Sequence, residues 1–141
     1  MIGKSVTSPG GLSLFPAITA IPMGWASAVG LCQYLHRRLV QLHSPVGAGL
    51  AAAAEIRRDG PHPNEKSVYQ VYIDNYDQLE IVDKKESERL QGELSQWQRR
   101  VRDAYQHWGF PRSEAKSLVR SYKAETLGAF IDGEEGTAGP S

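Results

Sequence analysis

Cysteine is nearly missing from this chain: Cys32 is the single one among 141 residues. One thiol excludes an internal disulfide framework and a zinc site built on cysteines, and it points to an intracellular setting. Long apolar runs are missing too. No stretch approaches the roughly 18 apolar residues of a membrane span. Met1-Ile2-Gly3-Lys4-Ser5 leads into no apolar signal-peptide core, so no membrane partner is expected. Neither sign of charge is in excess, with 16 Lys and Arg against 16 Asp and Glu. That balance excludes a nucleic-acid binder acting through overall positive charge, while a local basic face stays open. Gly3-Lys4-Ser5 has the ending of a phosphate loop, but the upstream glycine and strand are absent and the motif is set aside.

What is present suffices for a core. Apolar residues make up 40% of the chain, and the length suits one domain or a piece of a larger one. The centre is Val68 to Val82. Val68 to Ile73 is rich in Val, Tyr and Ile and predicts a strand. Leu79 to Val82 predicts a shorter one, with an acidic turn between them. Asp74 at that turn has two readings. It is an ordinary turn residue, or it is a carboxylate projected from a rigid hairpin toward a hard cation.

Around this centre the chain divides into residues 1–11, a loose lead-in rich in Gly, Ser and Pro; residues 12–136, the folded part; and residues 137–141, a polar tail too short to add structure. Leu12 to Ile21 predicts a strand broken near Pro16. Trp25, Val29, Cys32, Leu35, Leu39 and Leu42 recur at helical steps and predict a helix whose apolar face they form, ending near Ser44-Pro45. Cys32 on that stripe reads as a packed thiol. His36, Arg37, Arg38 and Gln41 fall mostly off it. Leu50 to Arg58 predicts a short alanine-rich helix, and His62 a solvated loop histidine.

Asp83 and Glu86 have capping-box spacing. Leu90, Leu94, Trp97, Val101, Tyr105 and Trp108 then predict one long helix, closed by left-handed Gly109 with Phe110 folding back and Pro111 blocking continuation. Its other face carries Arg99, Arg100 and Arg102, by default a solvated charged face. Ser113 is a cap for one turn reaching Lys116. Leu118 to Tyr122 and Thr126 to Ile131 read as a strand pair joined through Lys123-Ala124-Glu125. Asp132 to Gly136 reads as a turn, since its carboxylates lack calcium-loop spacing. Hairpins and helices in this order predict an α+β fold, with an antiparallel sheet and helices on one face.

Four blocks in this order resemble the palm of reverse transcriptases of the retroelement-encoded kind. Ile21-Pro22-Met23-Gly24-Trp25 with Ser27 resembles the Pro-Gln-Gly block before the long palm helix. Tyr72-Ile73-Asp74-Asn75 resembles the Tyr-X-Asp-Asp hairpin. Gly109 to Lys116 resembles the glycine-to-lysine block after the next helix, and Thr126 to Ile131 the Leu-Gly block of the primer-gripping hairpin. The resemblance covers roughly residues 12 to 136 and implies a partial palm-like domain that adds nucleotides to a primer 3′ hydroxyl on a template, with two magnesium ions. It implies Asp74 as metal ligand, with Asn75 beside it. Pro22, Met23, Gly24 and Tyr72 would meet the nucleotide or template, with Gly24 allowing close backbone approach. Lys116 would lie near the leaving pyrophosphate, and Leu127 and Gly128 near the primer backbone.

The sequence departs from the family pattern at three places. Asn75 replaces the second Asp and keeps an oxygen while losing the charge. Met23 replaces a hydrogen-bonding Gln. Met1 to Ile21 contains neither Asp nor Glu, where the family carries a further metal-binding Asp. The expectation is therefore a polymerase fragment that is inactive alone. The alternative is a non-catalytic module that kept a palm-like fold and binds nucleic acid or protein through the arginine side of the long helix and Lys116.

Overall fold

A computed structural model describes residues 6–7, 13–14, 24–42 and 47–141. The alternating Ser67–Tyr72 segment forms β3, paired antiparallel with β4, Asn75–Glu80, from Ser67 opposite Glu80 to Tyr72 opposite Asn75. Two short strands precede them, β1 (Val6–Thr7) and β2 (Ser13–Leu14), also antiparallel. The rest of the expected strand from Leu12 to Ile21 lies outside the described residues. The β3–β4 turn is tighter than the sequence predicts. Ile73 leaves the strand for the turn, and the second strand begins at Asn75 instead of Leu79. Tyr76 explains the early start, because it turns inward and stacks on Tyr69 with ring centroids 6.1 Å apart. Packing of this kind overrides the weak strand preference of Asn and Asp.

Helix α1 spans Ala28–Gln41. It exists where the apolar spacing predicts, but it is rolled away from the predicted face. Val29, Leu35, Trp25 and Leu42 are exposed, together with Leu31 and Tyr34, and Cys32 is only half-buried. Ala28, His36 and Val40 are the buried positions. The cause is polar. Gln33, His36, Arg37 and Gln41 all find partners on the inner side, which removes the penalty of burying them. The helix stops at Leu42, and Ser44-Pro45 lies outside the described residues.

The predicted helix from Leu50 to Arg58 is a single 3-10 turn, Ala52–Ala54. The chain on either side is extended. Leu50 N donates to the Val40 carbonyl at 2.8 Å, and Ile56 N to the Tyr69 carbonyl at 2.7 Å. Glu55 makes a parallel bridge with Tyr69. A continued helix would surrender the Ile56 bond and the Glu55 bridge to Tyr69 on β3.

The long helix predicted after Asp83 is two helices. α2 is Lys84–Leu90, capped by Asp83, whose side chain accepts from Glu86 N. α3 is Gln96–Trp108, opened by a full capping box between Ser95 and Gln98 and closed by left-handed Gly109. Gly92, at φ 78°, turns the chain between them. The apolar spacing runs across this break without registering it. Trp108, on the predicted core stripe, is exposed.

The C-terminal strands also differ from expectation. β5 is Lys123–Thr126, β6 is Ala129–Asp132 and β7 is Thr137–Pro140, all antiparallel in that order. Leu118 to Tyr122 is not a strand, and Lys123-Ala124-Glu125 is strand instead of connection. The turn falls at Leu127-Gly128, with φ 49° and 77°, the pair of positive values that a type I′ hairpin turn needs. Residues 137–140 add a strand where a structureless tail was expected. Asp132 accepts from Glu134 N and Glu135 N and so folds the chain back onto β6.

The described strands thus form three small antiparallel sheets, β1–β2, β3–β4 and β5–β6–β7, where one sheet was expected. The class is α+β. α1 and α3 pack on one face of β3–β4 around Val40, Leu50, Ala54, Tyr69, Val71, Val101 and Tyr105. No helix among the described residues is long and apolar enough to cross a membrane.

Candidate functional site

The β3–β4 hairpin carries Tyr72, Asp74 and Asn75 to one exposed tip. Ile73 is its unusual member. Its φ is 55°, while Asp74 stays out of the positive range. That pattern matches a type II′ turn, whose first position is normally glycine. A β-branched residue there is strained.

The strain is met by α1. Gln33 grips the hairpin with both ends of its carboxamide. Nε2 donates to the Val71 carbonyl at 2.8 Å, and Oε1 accepts from Ile73 N at 2.6 Å. One turn on, His36 holds the other side of Ile73, its Nδ1 lying 2.9 Å from the Ile73 carbonyl. A carbonyl only accepts, so Nδ1 carries the hydrogen. Nε2 then accepts from the Tyr105 hydroxyl at 2.6 Å. The imidazole is fully buried and stacks on Phe110, with centroids 4.8 Å apart.

Electrostatics agrees with a neutral ring. Burial lowers the His36 pKa from its ordinary 6.5, outweighing the Ile73 carbonyl and the Asp74 charge, which act the other way. Burial also pushes the Tyr105 hydroxyl above its usual range, so it keeps the proton it donates. The unfolded chain binds a proton at His36 near pH 6.5, whereas the folded chain binds it only at lower pH. The His36 contribution is therefore complete above 6.5 and is lost as pH falls below it. Melting temperature is expected to decline as pH falls below 6.5 in the native sequence. In His36→Gln this decline should flatten; parallel curves for the two proteins would refute the assignment.

A second network lies beside the tip. Asp77 Oδ2 accepts from Gln70 Nε2 at 3.1 Å, from Asn75 Nδ2 at 3.4 Å and from Thr126 Oγ1 at 2.8 Å. Asn75 Nδ2 also lies 3.5 Å from Thr126 Oγ1. Asn75 thus uses its NH2 group toward Asp77 where an aspartate would set two like charges side by side. Thr126 is the last residue of β5, so the network joins the Asp74 hairpin to the hairpin that turns at Leu127 and Gly128.

The other sequence-predicted residues are less closely gathered. Lys116 is exposed in the 3-10 turn Glu114–Lys116, and no hydrogen bond or ion pair ties it to the hairpin tip among the described residues. Gly24 is exposed at φ 89°, with open space where a side chain would be. Pro22 and Met23 lie outside the described residues. No three His, Cys, Asp or Glu side chains come together to hold a metal ion among the described residues. The donors that the tip itself offers are the Asp74 carboxylate and the Asn75 carboxamide.

Along α3, Arg99, Arg102 and Arg112 line a shallow depression with Asp103, Tyr105 and Phe110. Glu114 bridges it, accepting from Arg102 at 3.0 Å and pairing with Arg112. Arg100 faces elsewhere, against Val40 and Ala104. The basic group is therefore Arg99, Arg102 and Arg112, not the expected Arg99, Arg100 and Arg102.

Sequence reasoning missed Gln33, His36, Tyr105, Asp77 and Thr126 as parts of the site. A signal existed for the first two: polar residues three apart share one side of a helix. No protein-family model, no curated protein and no solved structure matches the chain.

Proposed function

We propose that residues 12–136 are the later half of a reverse-transcriptase-like palm, a fragment of an enzyme that extends a primer on a template. One observation carries the assignment: Asp74 stands exposed at the tip of a two-residue hairpin whose backbone is pinned from α1. A carboxylate on a stiff turn suits the binding of a hard cation. The junction of this hairpin with the Leu127-Gly128 hairpin, through Asp77 and Thr126, adds support. One carboxylate and one carboxamide do not fit a pair of magnesium ions. A further acidic residue would have to come from elsewhere, and the chain alone is expected to be inactive.

The test is primer extension with a primer–template, all four nucleotides and Mg²⁺ or Mn²⁺. The 141-residue chain should give none. The product of a reading frame continued upstream into an Asp-bearing strand should extend the primer and lose extension in Asp74→Ala. Extension by the short chain that vanishes in Asp74→Ala would overturn its inactivity. An inert longer product would overturn the polymerase assignment.

The Arg99, Arg102 and Arg112 depression favours a second possibility, a non-catalytic nucleic-acid-binding module. Its affinity for a duplex would fall steeply with salt, since phosphate contacts release counterions. Binding that ignores salt, or none, would remove it.

A further inference from the structure

We infer that Gln33 and His36 are positioning residues for Asp74: they hold the Ile73 turn in its strained form and thereby set where the carboxylate stands. For the role of Asp74 this rests on the polymerase assignment; for the turn it rests on geometry alone. An isoleucine at φ 55° reverts to an extended backbone unless its surroundings forbid it. Here three bonds forbid it. Gln33 takes the Ile73 N–H and anchors itself on Val71, and His36 takes the Ile73 carbonyl. Both polar groups of the strained residue are thus held by one helix.

The grip is itself supported. His36 cannot swing, because Phe110 stacks on one side and the Tyr105 hydroxyl fixes Nε2. Tyr105 and Phe110 sit at the end of α3, where Phe110 N donates to the Tyr105 carbonyl at 2.8 Å across the Gly109 cap. A chain of contacts therefore runs from the α3 cap through the imidazole to the residue before Asp74. Its members are positioning residues; none of them is required to touch a substrate.

The experiment is residue-resolved amide exchange on the full chain. Gln33→Ala and His36→Phe, the second retaining a stacking ring, should each speed exchange at residues 72–75 by about tenfold. Exchange at Val101 to Tyr105 in α3 should stay within about twofold. Ile73→Gly accepts a positive φ without help, so in that background Gln33→Ala should change exchange at Asp74 and Asn75 by less than about twofold. Faster exchange throughout α3 would mean that the bonds are only part of core stability. An unaltered tip, or an undiminished effect in the Ile73→Gly background, would overturn the proposal outright. Primer extension by the longer product separates the two claims. Local exchange changes without any extension leave the turn control standing and the polymerase assignment fallen. Extension with an unaltered tip does the reverse.

Discussion

Arg37→Ala is expected to lower the unfolding free energy by about 3–5 kcal/mol, the usual range for breaking a buried ion pair from one side. The Arg37 side chain is partly exposed, but its partner is not: Glu55 is buried. Arg37 Nε donates to Glu55 Oε1 at 2.5 Å and its terminal nitrogen to Oε2 at 2.6 Å. The paired carboxylate raises the Arg37 pKa, so the guanidinium keeps its charge. Gln41 adds one further donor to Glu55 at 3.1 Å. Without Arg37 the carboxylate keeps, among the described residues, that one donor inside the protein. Against a typical total of about 5–15 kcal/mol, the loss is a large share. Urea unfolding followed by circular dichroism measures it. Adding Glu55→Gln to Arg37→Ala should restore part of the stability, because a neutral carboxamide is cheaper to bury. A double variant no better than Arg37→Ala would show that the loss comes from packing and not from charge.

Tyr69→Ala should cost a similar amount, about 3–5 kcal/mol, the range for emptying an aromatic site in a core. Tyr69 is fully buried at the middle of the cluster. Its ring stacks on Tyr76 and meets the edge of Trp97 at 5.9 Å. Its hydroxyl accepts from Gln41 Nε2 at 2.9 Å. Tyr69→Phe keeps the ring and loses that bond, so about 1 kcal/mol is expected. If the two variants unfold at similar urea concentrations, the hydroxyl and not the ring is the main contributor.

Both predictions centre on the Gln41, Glu55 and Tyr69 group, which the sequence does not announce. Apolar spacing placed α1, α3 and the central hairpin in order, because period and turn chemistry are local properties. Spacing failed where the partners are distant in sequence. Leu35 and Val29 look like core and are exposed, while His36 looks solvated and is buried. The difference is made by Ile73 and Tyr105, 37 and 69 residues away. The split of α2 from α3 has a local signal: Gly92 and the Ser95-Gln98 capping box mark it. The Leu127-Gly128 turn has one too, in its glycine. At the site, Tyr72, Asp74 and Asn75 share one hairpin tip because they are neighbours in sequence. The bonds through Gln33, Asp77 and Thr126 depend on three-dimensional neighbours and left no mark in the local pattern.

The β5–β6–β7 sheet has a consequence for how the molecule comes apart. The central cluster and the residues packed on it extend no further along the chain than Phe110. The C-terminal sheet is mostly exposed, with only Asp132 buried. Side-chain bridges link this region to the hairpin, such as Arg120 to Glu80 at 2.9 Å and Thr126 to Asp77 at 2.8 Å. Segments with so little burial open at a small fraction of the global free energy. Dilute protease should therefore clip the chain beyond residue 116 before it cuts the central cluster, leaving a resistant piece that still contains Asp74. The primer-gripping hairpin and the metal-binding hairpin of the proposed palm would then be two cooperative units, separable by a brief digestion.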